Sequence, residues 1–355
     1  VRALGRAVLA LGLLPIAFEL TVRLDDWLRF GVPMLSRVTG IEDLQVRDSL
    51  GQHARPGAAF KQFHINSLGF RGPEVSDNDL RTNRLVVTTG SSETFGLYES
   101  SDREWPHQLS DSLARRCATE RVTVLNAAIH GMSLPSARQD LHLRVLRLRP
   151  SVIVYYPQPT QYLYERVPRP VSPSADPQPE LAGLRLRGTA RLRGMIKAAV
   201  PEALLELIRR RDTDNSRKSG QSVFEKVPQE RVDSMESQIR LLVGEVRHAG
   251  SEIMLVAPDH RFGDTAAISE RRWLRAWERQ VPKGDAHILL EFSRAARTMI
   301  RDVARDSSVT LVQPDFPQDA GRAQFFADPV HFTDKGAGVL AGAVSRQLAD
   351  RFGCR

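Results

Sequence analysis

The stretch from Leu85 to Gly96 reads LVVTTGSSETFG. Its first five residues (Leu85, Val86, Val87, Thr88 and Thr89) are apolar or β-branched and suit a buried strand. Gly90 ends the run, Ser91 and Ser92 follow, and a polar, helix-compatible segment begins. The pattern predicts a strand over 84–89 that stops in a tight turn and presents a hydroxyl at the C-terminal edge of a sheet. Open α/β sheets hold their ligands at that edge. Two roles are open to Ser92 on this stretch alone: the N-cap of the following helix, or a nucleophile.

Working outward, the same alternation recurs. Further strands are expected over Val122–Leu125, Val152–Tyr156, Glu252–Ala257 and Val309–Val312. Between them lie helical stripes: about Glu104–Arg115, a helix opened by Ser133 with Leu134, Ala137, Leu141, Val145 and Leu148 on one face, Val232–His248, Ala286–Asp306, and a last helix over about Ala337–Arg351. Strands alternating with helices in this way predict an α/β fold: a three-layer α/β/α sandwich on a five-stranded parallel sheet with right-handed crossovers. Two segments interrupt the alternation and read as insertions, one at about 157–231 and one at about 263–285, the latter carrying Trp273 and Trp277. The division expected is an N-terminal segment 1–26, a lead-in 27–80 and a main domain 81–355. Within the lead-in, Trp27–Ala58 reads as irregular. His64–Pro73 (HINSLGFRGP) reads as a surface hairpin entering the sheet, or else as a loop over the mouth of a site.

Composition narrows the partners. The net charge of +8 comes mostly from arginine, and much of the excess falls between Arg185 and Arg217 with few aromatics to stack bases. A solvated or membrane-facing surface explains it better than nucleic acid, and no nucleic-acid partner is expected. Two cysteines, Cys117 and Cys354, without a CxxC pair exclude a zinc site built on paired cysteines. A disulfide between them is open if the protein is exported; two unpaired thiols are the reading preferred here. At the N-terminus, Arg2 and Arg6 precede an uncharged run from Ala7 to Phe18 and then Glu19. That run is short for a span. It fits an uncleaved signal-anchor, a membrane-surface helix or a packed amphipathic helix. The anchor is the expectation, with the main domain outside the cytoplasmic membrane, in the periplasm or at the cell surface.

Chemistry is suggested before the final helix, where Asp328-Pro-Val-His331 stands. An Asp three residues ahead of a His can fold back on it, accept the Nδ1 proton and leave Nε2 as a free base. A serine hydroxyl needs such a base to attack an ester at neutral pH. Ser92 after the first strand, Gly131 after the second (Asn126-Ala-Ala-Ile-His-Gly131) and Asp328-His331 before the last helix all fall where a parallel sheet brings residues to one edge.

With these blocks the chain resembles the SGNH (GDSL-like) hydrolase family, serine esterases and acyl hydrolases on a flavodoxin-like sandwich, and in particular its N-terminally membrane-anchored members. The resemblance runs from about Asn66 to the C-terminus, insertions apart. It implies Ser92 as nucleophile within Gly90-Ser91-Ser92, Asp328 and His331 as the acid–base pair, and the backbone N–H groups of Ser92 and Gly131 as oxyanion donors. No metal or organic cofactor is implied, and the substrate is an ester-bearing small molecule, glycan or lipid. Acyl transfer to cell-envelope polysaccharide, or a catalytically silent scaffold of the same fold, are the alternatives. The family's third block, Gly-x-Asn-Asp, is missing: Tyr156-Pro-Gln-Pro-Thr-Gln-Tyr162 stands in its place. Gln158 or Gln161 is then the substitute for its side-chain donor. His130 and His260 are further candidates to touch substrate, His64 reads as a surface residue, and the three are too scattered to form a metal site.

Overall fold

The computed structural model describes residues 2–117, 120–164, 168–170, 186–200, 204, 223–263, 270–318 and 320–354, with the side chains of the first helix described from Gly12 onward. A five-stranded, all-parallel sheet forms its centre: β5 (Arg84–Thr89), β6 (Val122–Asn126), β7 (Val152–Tyr155), β8 (Glu252–Val256) and β9 (Thr310–Val312), in the order β6-β5-β7-β8-β9. The α/β/α sandwich expected from the sequence is therefore the fold observed. Alternation along each strand divides the core. Leu85, Val87, Ile153, Tyr155, Ile253 and Leu255 face one side; Val86, Val152, Val154, Tyr156, Met254 and Val256 face the other. Both faces are covered, which is why these strands read as continuous apolar runs.

The first face packs against α5 (Leu134–Asp140), α7 (Gln229–His248) and α9 (Ala286–Asp306). The second packs against α4 (Trp105–Arg116) and α10 (Asp334–Phe352). The stripe after Ser133 does not form one regular helix. α5 passes into a π-turn over Leu141–Val145 and a 3-10 turn over Leu146–Leu148, with Leu141 and Val145 still buried. The reversal of strand order lies between β5 and β7, and their C-terminal ends open the crevice where ligands sit in such sheets.

The N-terminal part corrects three expectations. Trp27–Ala58 is not irregular: β1 (Gln45–Asp48) and β2 (Gly51–Ala54) form an antiparallel hairpin, followed by a smaller one from β3 (Ala59–Phe60) and β4 (Phe63–His64). The first helix, α1, continues past residue 26 to span Arg2–Phe30 with Pro15 inside it, and ends at Gly31, which takes φ +67°. Its second half is a packed helix. Val22, Arg23 and Asp26 are buried, Arg187 of α6 (Arg187–Ala199) donates to Asp26, and Glu19 accepts the N–H groups of Arg187 and Gly188. Among the described residues no helix is long and apolar enough to cross a membrane. Ala7–Leu11 of the expected anchor run lie outside the described side chains, as does most of the 157–231 insertion.

The cysteines are a further correction. Cys117 and Cys354 form a disulfide, their Cα atoms 4.8 Å apart. Cys117 caps α4 and Cys354 follows α10, and these two helices pack side by side on one face of the sheet. The pairing joins residues 237 positions apart. A loop of that length restricts the unfolded chain strongly. The double substitution Cys117→Ser/Cys354→Ser is expected to cost about 2–5 kcal/mol of stability, read as a lower urea midpoint than the oxidised protein, and reducing the wild type should give the same shift.

Candidate active site

The turn after β5 is built by close approach. Gly90 sits at φ +157°, and a Cβ there would lie 2.5 Å from Thr94 Oγ1 and 2.7 Å from Tyr156 O. No residue but glycine fits between β5 and the end of β7. The chain then turns into α3 (Ser92–Phe95), with Ser91 as N-cap. Ser92 is thus the first residue of the helix and not its cap, and its N–H is one of those that an α-helix leaves without an internal partner.

Ser92 Oγ lies 2.8 Å from His331 Nε2, and His331 Nδ1 lies 2.7 Å from Asp328 Oδ2. Asp328 Oδ1 accepts the N–H groups of Val330 and His331, each at 2.9 Å, which fixes the carboxylate against the loop. That loop is a short closed arch: Phe326 bridges Phe332, the Ala327 N–H donates to His331 O, and Phe316, Phe326, Phe332 and Tyr156 stack beneath it. Tyr98 lies across the imidazole, ring centres 5.2 Å apart. All three polar residues are buried.

Burial is the largest single influence on each ionisable member. It raises Asp328, but the His331 hydrogen bond and charge and the two N–H donors outweigh it and hold the carboxyl below its usual range. Burial lowers His331, yet the hydrogen bond to Asp328 and the charges of Glu93, Asp328 and Glu99 carry it above its usual value.

A cavity of about 490 Å³ opens on this chain, lined by Ser92, Tyr98, His130, Gly131, Gln158, Gln161 and His331 among others. Gly131 takes φ +75° at the β6 turn, with open space where a side chain would be. Gln161 is committed elsewhere. Its amide donates to Ser91 Oγ at 3.1 Å and to Met132 O at 3.0 Å, so it ties together the turns after β5, β6 and β7. Gln158 stands half-buried on the cavity wall.

The histidines separate. His130 is half-buried at the mouth, its Nε2 3.6 Å from Glu42 of the lead-in; burial pulls its pKa down. His260 is not at the mouth and does not line the cavity. It is buried beside Phe262 and Trp277, and burial together with Arg297, Arg322 and Arg294 pushes its pKa down to about 3. Its place at the end of β8 was right, but the second insertion covers it through Trp277. His64 lies exposed in β4.

Three residues escaped the sequence reading. Glu93 is 2% exposed and its Oε2 lies 3.3 Å from Ser92 Oγ. Glu99, also buried, accepts the Tyr98 N–H, and burial pushes its carboxyl up to about 8 against the pull of Arg71 and His331. Arg71, from the lead-in, is buried under α3. It donates to Phe95 O and to Gly96 O, pairs with Glu104 at 3.4 Å and stacks between Phe63 and Phe95. The 64–73 segment therefore neither hangs on the surface nor covers the mouth; it supports α3, the helix that carries Ser92, from below. The signal available for Arg71 and Glu93 was a charged residue inside each of two short blocks that end in glycine, GFRG and SSETFG.

No family model and no curated protein matches the chain. Among solved structures it is similar to the lipase/acylhydrolase from Enterococcus faecalis, at 14% identity and TM-score 0.43 over 76% of this chain and 96% of that one. It is also similar to the acetylxylan esterase Axe2 from Geobacillus stearothermophilus (13%, TM-score 0.42, 76% and 96%) and to a GDSL-like lipase from Bacteroides thetaiotaomicron (12%, TM-score 0.42, 76% and 89%). Likeness this remote carries no argument about activity, and what the site can do follows from its own geometry.

The buried histidines His331 and His260 differ in sign. Titration of the imidazole resonances by NMR is expected to show His331 protonating above pH 6.5 and His260 still neutral at pH 4. Asp328→Asn should bring the His331 value down.

Proposed function

We propose that the protein is a serine hydrolase of the SGNH type that cleaves a carboxylic ester through an acyl-enzyme. The observation that carries this reading is the continuous hydrogen-bonded chain from Ser92 through His331 to Asp328, set at the mouth of a cavity. In the reaction proposed, His331 Nε2 takes the Ser92 proton as Oγ attacks the carbonyl carbon. Asp328 holds the imidazole by its Nδ1–H and stabilises the imidazolium. The N–H groups of Ser92 and Gly131 receive the oxyanion, with Gln158 the remaining side-chain candidate on the cavity wall. His331 then returns the proton to the departing alcohol, and a water repeats the sequence to release the acid. With the Gln161 amide spent on Ser91 and Met132, the oxyanion has fewer side-chain donors than the family's third block supplies, and one such donor is worth about 100 to 1,000-fold in rate.

The reading extends to where the protein works. The Cys117–Cys354 bridge supports an oxidising compartment outside the cytoplasm. α1 presents Leu13, Ile16, Leu20, Leu24 and Leu28 to solvent on one face, and the sequence carries Arg2 and Arg6 ahead of them, which together support binding to an anionic membrane surface.

Two measurements test these claims. A fluorophosphonate probe should label the wild type and not Ser92→Ala, and 4-nitrophenyl acetate hydrolysis should fall about 1,000-fold or more in Ser92→Ala; an unlabelled wild type would refute the hydrolase. In flotation with vesicles containing phosphatidylglycerol, the wild type should rise with the lipid and Leu20→Glu/Leu24→Glu should stay behind. Equal flotation of both would remove the role given to α1.

A further inference from the structure

Ser92 carries one hydroxyl proton, yet two buried acceptors stand against its oxygen. His331 Nε2 is 2.8 Å away and Glu93 Oε2 is 3.3 Å away. Glu93 is the residue next to the nucleophile, and its carboxyl is directed back along α3 to Ser92 and not out to water. The groups around it are Ser92 on its own helix, His331 and Asp328 from the arch before α10, Tyr155 and Tyr156 at the end of β7, and Tyr164 beyond it. Burial pushes all three phenols up, so they stay neutral where Glu93 and His331 titrate.

We propose that Glu93 is a fourth member of the catalytic hydrogen-bond set, a second acceptor for the Ser92 proton that decides with His331 where the site's mobile proton rests. This deepens the serine-hydrolase reading and rests on it. Counting protons shows the consequence. With Glu93 as a carboxylic acid and His331 neutral, Glu93 donates to Ser92 Oγ and the Ser92 hydroxyl donates to His331, the arrangement ready for attack. Moving one proton gives a carboxylate and an imidazolium. Ser92 then donates to Glu93, the imidazolium N–H points at Ser92 Oγ, and the imidazole cannot take the Ser92 proton. Both states hold the same number of protons, so the pair titrates as a unit. The inactive state is the charge-paired one; the attraction of the two charges favours it and burial of each opposes it.

Burial raises Glu93 to about 6, opposed first by His331, while the Glu93 charge in turn raises His331. Glu93 therefore moves the onset of activity to higher pH: the site is locked in acid and released as His331 loses its proton.

The test is the pH dependence of kcat/KM for 4-nitrophenyl acetate in wild type, Glu93→Gln and Glu93→Leu, with the His331 resonance titrated in each. Both substitutions remove the charge; the amide keeps a donor toward Ser92. The expected result is that the acid limb moves to lower pH in both variants, so that the ratio of activity at pH 6 to that at pH 8 rises roughly threefold or more. The His331 titration should move the same way. A uniform loss at all pH values with an unmoved limb and an unmoved His331 titration would mean that Glu93 only supports the fold, and would overturn the proposal. An unlabelled wild type with fluorophosphonate would refute the hydrolase itself, while the His331 titration would still report on the Glu93–His331 coupling.

Discussion

The site depends on the approach of two strand ends that leaves no room for a side chain at Gly90. β5 and β7 are adjacent and in register, Thr89 opposite Tyr155, and the two chains diverge immediately beyond. Because Gly90 passes so close to Tyr156 O and Thr94, the backbone must leave the sheet sharply there, and α3 starts within two residues. Ser92 is thereby placed on the axis of the crevice with its side chain aimed across β5 toward the last loop. The same register brings the β6 turn alongside, since Asn126 pairs with Thr88 and its amide donates to Thr94 O. Three loops from distant parts of the chain meet because three strands end at one level.

A four-residue helix cannot hold itself in place, and α3 is held from outside. Arg71 supplies the hold. Its guanidinium covers the carbonyls of Phe95 and Gly96 that the helix leaves open, and Gly96 takes φ +83° with Glu104 and Arg71 so near that a Cβ has no space. The Arg71 N–H donates to Asn126 O, so the lead-in adds an extra bridge at the end of β6. The Asn66 side chain shapes this turn by accepting the N–H groups of Leu68 and Phe70. The lead-in is therefore part of the same folded unit as the site in physical terms: a buried arginine cannot be withdrawn without leaving Glu104 unpaired in the interior.

What the sequence disclosed follows from what each signal depends on. The strands were legible because a doubly covered sheet needs apolar residues on both faces, as Val152–Tyr155 has, and the ends of α9 were legible because Asp285 caps it and its stripe is regular. The site blocks were legible because Gly90-Ser91-Ser92 and Asp328-x-x-His331 are local patterns. The disulfide was not, since the meeting of Cys117 and Cys354 is a property of how α4 and α10 lie together. His130 and His260 were equivalent in sequence, each just past a strand at the same edge. Only packing distinguishes them: Trp277 of the second insertion closes over His260, whereas His130 stands half-buried on the cavity wall. Arg71 and Glu93 were passed over because a charged residue is ordinarily read as facing water, and their burial is set by partners far away in sequence.

Those burials raise a question of charge that the geometry answers. Glu93, Glu99 and Asp328 are all buried around one imidazole, and three carboxylates there would repel one another strongly. They differ in how many donors each receives. Asp328 has two backbone N–H groups and the imidazole, and it is held ionised. Glu99 has its own N–H, the Tyr98 N–H and a more distant arginine, too little to offset burial, and at about 8 it stays protonated at neutral pH. Glu93, at about 6, lies between them, and its main compensating charge is His331 itself. The order of the three follows from their pairing with the imidazole, which is hydrogen-bonded to Asp328, is the first opposing charge for Glu93 and the last for Glu99, so one of them exchanges its proton with the imidazole near neutrality. That one is the acid in contact with the Ser92 hydroxyl oxygen.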